Sequence, residues 1–154
     1  MSAGIEIAKP FISATKEVLS MMTGIEAVPK LPYVKKGVLA EGDITAVVGI
    51  TGTYKGTISI SFPKQCAIAV VRGMLGDDIE DIIQDSRDAV GEICNMISGQ
   101  ARAGLAGMNI VLQGSTPSVI VGSRHSISHA AGVPVVAIPF ATENGNFTLE
   151  FCLA

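Results

Sequence analysis

Between residues 5 and 22 apolar or small side chains return every three to four positions, at Ile5, Ala8, Phe11 or Ile12, Thr15, Val18 or Leu19, and Met22. That period is helical, and Gly24 supplies a stop. Residues 27–36 are interrupted by Pro29 and Pro32, which predicts an edge or bent strand because proline cannot donate to a sheet ladder. Residues 44–51 and 56–62 flank Gly52-Thr53-Tyr54-Lys55 and predict a hairpin. The second arm alternates, with Ile58, Ile60 and Phe62 on one side and Thr57, Ser59 and Ser61 on the other. Pro63 opens a helix through Ala67, Val70, Val71 and Leu75, ended by Gly76. Asp77, Asp78 and Glu80 lie before a long helix over about 82–108, where acidic groups favour the helix start. Strands follow at 118–123, 134–141 and 147–153, the last two joined by a turn containing Asn144-Gly145, a strong hairpin signal.

This order repeats itself. A long helix followed by antiparallel strands occurs twice, and Lys55-Gly56-Thr57-Ile58-Ser59-Ile60-Ser61-Phe62 echoes Asn144-Gly145-Asn146-Phe147-Thr148-Leu149-Glu150-Phe151 at an offset of 89 residues. The architecture expected is α/β of the α+β type: two long helices packed on one face of an antiparallel sheet. It forms one domain over 1–154, with pseudo-repeats of about 1–76 and 77–154.

The long second helix is the informative element. At about 100° per residue, Asp85, Asp88, Glu92, Asn95, Gly99 and Arg102 share one sector. Val90, Ile93, Cys94, Ile97, Ala101, Gly104, Leu105 and Met108 share the opposite one. The apolar side docks on the sheet and the polar stripe faces out. Asp88, Glu92 and Asn95 follow an i, i+4, i+7 spacing and stack over two turns. The first helix repeats that spacing as Ser13, Glu17 and Ser20, with Ser20 in the place of the asparagine. Glycine inside a helix costs about 1 kcal/mol relative to alanine, so Gly91 and Gly99 each ask for a reason. A bare Gly99 beyond Asn95 leaves room for another surface to come close, while Gly104 would serve packing of helix on sheet. A solvated helix face is the default for such a stripe. What raises this one above the default is the wider pattern, Asp88-x3-Glu92-x2-Asn95 with 21 residues between Asn95 and Pro117.

Composition narrows the partners. Hydrophobic residues make up 48% of the 154 and charged residues 16%, against a usual quarter charged. A chain with so little polar material is either unusually well buried or hides part of its surface against a partner, and a homo-oligomer is the favoured expectation. Net charge is −3 with no basic cluster beyond Lys35-Lys36, and aromatic residues are 5% with no Trp. Nucleic acid is therefore not expected as a partner. Cys66, Cys94 and Cys152 are widely spaced and read as small buried hydrophobes in a reducing compartment. The N-terminus has no signal-peptide pattern, and the uncharged stretch 103–123 is too rich in Gly and polar residues for a membrane helix and better suited to paired buried strands. The cytoplasm is the expected location.

Other constellations are weaker. His125 and His129 stand at i, i+4, but glycines and Pro134 surround them and no third ligand is near, so no metal site is expected. Gly49-Ile-Thr-Gly-Thr-Tyr-Lys-Gly56 lacks Gly-Lys-Ser/Thr and lies between strands, so it is a turn rather than a phosphate loop. The chain has no Gly-x-Ser-x-Gly. Met21, Met22, Met74, Met96 and Met108 are expected as core filler.

The pattern Asp88-x3-Glu92-x2-Asn95, followed by Pro117, resembles the signature of the CheC/CheX/FliY phosphatases of bacterial chemotaxis, and essentially the whole chain looks like that family. Only the second helix carries an intact Glu-x-x-Asn, which makes CheX the nearest match. The resemblance implies hydrolysis of the aspartyl phosphate on a CheY-like response regulator. Glu92 would contact the receiver's active-site lysine and Asn95 would orient the attacking water. Asp88 and Gly99 would be auxiliary or docking residues, and Pro117 would set the loop before a strand. The family also implies a homodimer formed by strand pairing, no cofactor of its own, and Mg2+ supplied by the receiver. The competing expectation is a module that docks on a receiver or on a flagellar-switch or signalling scaffold without hydrolysis.

Overall fold

The computed structural model describes residues 5–35, 42–122 and 133–154, with side chains from Ile7 onward. In chain order the elements are α1 (Ile5–Thr23), β1 (Val28–Pro29), β2 (Tyr33–Lys35), β3 (Ile44–Gly52) and β4 (Gly56–Phe62). Then come α2 (Lys64–Leu75), a single 3-10 turn (Gly76–Asp78), α3 (Ile82–Ala106), β5 (Leu112–Gly114), β6 (Ser118–Val121), β7 (Val135–Thr142) and β8 (Gly145–Leu153). The strands form one antiparallel sheet in the order β1-β7-β8-β4-β3-β5, with β2 also on β7 and β6 also on β3.

The pairing interlocks the two halves of the chain. β4 and β8 meet at the centre, Ile58 opposite Phe151 and Ile60 opposite Leu149. β1 and β2, from the first half, add to β7 of the second: Val28 faces Ala141 and Lys35 faces Val135. β5 and β6, from the second half, add to β3 of the first: Thr51 faces Gln113 and Ile44 faces Val121. Neither hairpin therefore completes its own sheet. The single strand expected over 27–36 is two short ones, both on the edge of the sheet, as prolines at 29 and 32 require.

The expected hairpin forms, its arms paired from Ile44 opposite Phe62 to Ile50 opposite Gly56. Gly56 holds a positive φ, and a side chain on it would run into the Cys152 carbonyl of β8. Ile58, Ile60 and Phe62 join Phe140, Phe147, Leu149 and Phe151 under the helices, with Ile7, Phe11 and Val18 of α1 and Val90, Ile93 and Ile97 of α3. Phe62 and Phe140 pack on Phe147 with ring centroids 4.9 and 5.0 Å away, and Phe11 stacks on Phe151 at 5.7 Å. Burying each such ring contributes about 1.5–3 kcal/mol.

Ser59 and Ser61, on the polar side of β4, are both buried. The side of β3, β4 and β8 away from the helices carries further buried residues, Thr45, Ser59, Ser61, Thr148 and Glu150; Thr45 and Ser61 hydrogen-bond at 2.7 Å, and Lys35 pairs with Glu150 at 2.7 Å across β7. Met21 and Met108 are exposed rather than core filler, while Met22, Met74 and Met96 do pack against the core. The stretch 103–123 is not only strands: α3 runs to Ala106 before β5 and β6 begin. His125 and His129 lie outside the described residues.

Candidate active site on helix α3

The helix start is set by its own side chains. Asp81 is the N-cap, its Oδ1 accepting from the Ile83 and Gln84 amides at 3.1 and 3.2 Å. Asp85 reaches back to accept from the Glu80 and Asp81 amides at 2.9 and 3.2 Å. Asp85 is thereby committed to the cap and leaves the uncommitted part of the polar stripe. The buried side of α3 carries Ala89, Val90, Ile93, Cys94, Ile97, Ser98, Ala101 and Leu105. Cys94 sits against the Ala46 carbonyl of β3, Sγ to O 3.8 Å, and burial pushes its thiol up to about 12. A helix locked this firmly on one side cannot roll, so its outward side chains hold fixed directions.

Asp88, Glu92 and Asn95 are all exposed on that outward side. Asp88 accepts from the Gln84 side-chain amide at 3.0 Å, one turn upstream. Glu92 and Asn95 have no hydrogen-bond partner among the described residues, so a carboxylate and a carboxamide one turn apart are both available to an outside molecule. The two glycines separate by cause. At Gly91 a Cβ would stand 3.2 Å from Val119 of β6, so this glycine lets α3 approach the sheet edge. At Gly99 the nearest foreign atom to a Cβ is Arg102 Nη2 at 3.9 Å. Nothing inside the fold requires a bare backbone at 99. Gly104 is not on the sheet as expected: a Cβ there would face Pro10 of α1 at 3.7 Å, in a groove between α1 and α3.

Pro117 is not part of the helical stripe. It lies in the break between β5 and β6, both of which pair with β3. The break is pinned by Ser115: its amide donates to the Gly49 carbonyl at 2.9 Å and its hydroxyl accepts from the Gly49 amide at 2.8 Å. Pro117 leads directly into β6, whose Val119 supports Gly91 beneath the stripe.

The echo on α1 is exposed at Ser13, Glu17 and Ser20, but its carboxylate is used: Gln100 of α3 donates its side-chain amide to Glu17. Sequence periodicity did not reveal that link, nor the seat of Arg102 against Gly114, because both join residues with no pattern in common. Among the described residues no group of three His, Cys, Asp or Glu side chains could hold a metal ion, and no helix is long and apolar enough to cross a membrane.

A family model described as chemotaxis phosphatase CheX matches residues 44–141, which include the whole stripe and Pro117. A chemotaxis protein CheX from Desulfovibrio desulfuricans is 64% identical in sequence, with a TM-score of 0.92 over 97% of this chain and 99% of that one. The CheY-P phosphatase CheX of Thermotoga maritima is 26% identical over 117 residues, 75% of this chain and 76% of that protein. The same fold occurs in the CheX-CheY-BeF3-Mg2+ complex from Borrelia burgdorferi, with a TM-score of 0.81 at 22% identity over 97% of this chain and 99% of that one.

Proposed function

This chain belongs to the CheX family of chemotaxis phosphatases, and we propose that it hydrolyses the aspartyl phosphate of a CheY-like receiver domain, with Asn95 orienting the attacking water and Glu92 contacting the receiver's lysine. The observation that carries this reading is the pair itself: Glu92 and Asn95 are exposed and uncommitted on a helix whose other side is buried.

The chemistry asks for little else. An acyl phosphate is already activated, and a receiver supplies Mg2+ and a lysine against the developing charge. What is missing is a water held in line with the phosphorus, and holding it removes much of the entropic barrier. The Asn95 amide oxygen accepts from that water while its NH2 donates to an oxygen nearby, and neither property changes with pH. Glu92 fixes register by pairing with the lysine. Asp88, steadied by Gln84, adds negative field beside it. Gly99 leaves the approach open, and Pro117 shapes the strand support under the helix. In this reading the chain needs no cofactor of its own and the Mg2+ belongs to the receiver; the Borrelia complex contains CheX, CheY, BeF3 and Mg2+ together.

The same proposal takes residues 1–154 as one domain of two repeats, about 1–76 and 77–154, acting in the cytoplasm as a homodimer. Support for the dimer comes from the low charge content and from exposed Val28, Leu31 and Val34 along the β1–β2 edge. Light scattering on the purified protein checks it. The activity is tested by mixing the protein with a phosphorylated CheY-like receiver and following the phosphate. Wild type shortens its lifetime while Asn95→Ala and Glu92→Lys do not. Binding with no change in lifetime makes the chain a docking module instead.

A further inference from the structure

We propose that Arg102 is a docking residue that fixes the direction in which the receiver lies along α3, by pairing with a carboxylate on the receiver's surface. This rests on the receiver phosphatase reading above and adds to it a residue that does not touch the reacting atoms.

Arg102 shares the outward sector with Asn95 and lies two turns beyond it, about 10 Å along the axis. The surface between them is the bare backbone of Gly99. Its guanidinium is held in place on two sides. Nε donates to the Ser98 carbonyl at 3.2 Å and lies 3.3 Å from the Ser98 hydroxyl. The group also rests over β5, where a Cβ on Gly114 would come within 3.2 Å of Cζ and Nε. Hydrogen bonds occupy Nε alone of the guanidinium's nitrogens, although Nη2 also lies over Gly114, 3.3 Å from where a Cβ would stand. The Nη groups have no partner among the described residues, and no carboxylate there neutralises the charge. A preset fork with its donors unfilled is suited to bidentate capture of a carboxylate.

The helix dipole does not account for it. That field acts within the last turn, and α3 has no basic residue there. The other arginine of the helix, Arg87, turns aside toward the Val119 carbonyl of β6. The outward stripe thus runs from Asp88 and Glu92 through a neutral Asn95 and Gly99 to one cation. Such a bipolar row accepts a partner in one direction only: a lysine at the Glu92 end, a carboxylate at the Arg102 end. Reversed, the partner meets like charge at both ends. α1 offers no counterpart. Gly24 lies four residues after Ser20 as Gly99 lies four after Asn95, but at Gly24 φ is +73° and the helix ends.

The test is steady-state hydrolysis of a phosphorylated CheY-like receiver at several salt concentrations, using Arg102→Glu, Arg102→Gln and Arg102→Lys beside wild type and Asn95→Ala. The expected result is a KM raised about tenfold or more by Arg102→Glu and less by Arg102→Gln, partly restored by Arg102→Lys, with kcat unchanged. The salt dependence of kcat/KM flattens in Arg102→Gln, which a purely structural role would not produce. Thermal melts of Arg102→Gln, which keeps the stem packed, separate docking from folding. Unchanged KM in Arg102→Glu, with Asn95→Ala inactive, overturns the role of Arg102 and leaves the phosphatase reading intact. A fall in kcat at constant KM also overturns it. Wild type that hydrolyses nothing overturns both.

Discussion

The two long helices begin from the same spacing and end as different objects. α1 presents Ser13, Glu17 and Ser20; α3 presents Asp88, Glu92 and Asn95. On α1 the carboxylate is taken by Gln100 and the helix ends at Thr23, three residues after Ser20. On α3 the carboxylate is uncommitted and the helix continues to Ala106, carrying Gly99 and Arg102 past the amide. A carboxylate at the right spacing is thus not a site by itself. Under the proposed function it becomes one when the neighbouring helix does not consume it, when an amide stands beside it, and when the surface beyond is open.

The comparison can be broken most severely from the buried side. Ile93→Ala, one residue from Glu92 but fully buried, should destabilise the fold by about 2–5 kcal/mol in urea titration, while the fraction that stays folded keeps its kcat. Gly99→Ala separates stability from docking in the opposite sense. The fold has room for the methyl, so stability should rise by up to about 1 kcal/mol while kcat/KM for the phosphorylated receiver falls. Cys94, on the buried side, should resist thiol reagents at pH 8 in the folded protein. Its folded pKa, about 12, lies above the ordinary 9.0. Its contribution to stability is therefore complete below about pH 9 and is lost as pH rises from there toward 12, which alkaline denaturation curves of wild type and Cys94→Ala would show. The smallest effect is expected from Ser20→Asn placed in the Asn95→Ala background. It restores the missing amide on α1, yet Glu17 is still bound to Gln100 and the helix still ends at Gly24, so hydrolysis should stay at the Asn95→Ala level.

Much of this was legible in the sequence, and for a physical reason. Helical and strand periods are local, so α1, α2, α3 and the two hairpins follow from spacing, as does the outward direction of Glu92 and Asn95. Pairing across the sheet is not local. That β1 and β2 would leave their own half for β7, and β5 and β6 theirs for β3, depends on which edges are open once both hairpins exist. The burial of Ser59 and Ser61 was not legible, because alternation separates two faces without saying whether the second is wet. Met21 and Met108 misled because methionine is apolar wherever it stands. Glu17 and Arg102 acquired their meaning from Gln100 and Gly114, residues that no period links to them.

The most direct test of the account is the lifetime of aspartyl phosphate on a CheY-like receiver, measured with excess wild-type protein and with excess Asn95→Ala under single-turnover conditions. A marked shortening by wild type is expected, together with a loss of about 100-fold or more in the Asn95→Ala rate at unchanged melting temperature, since misplacing the attacking water costs on that order. Equal phosphate loss with both proteins would contradict the assignment of water positioning to Asn95.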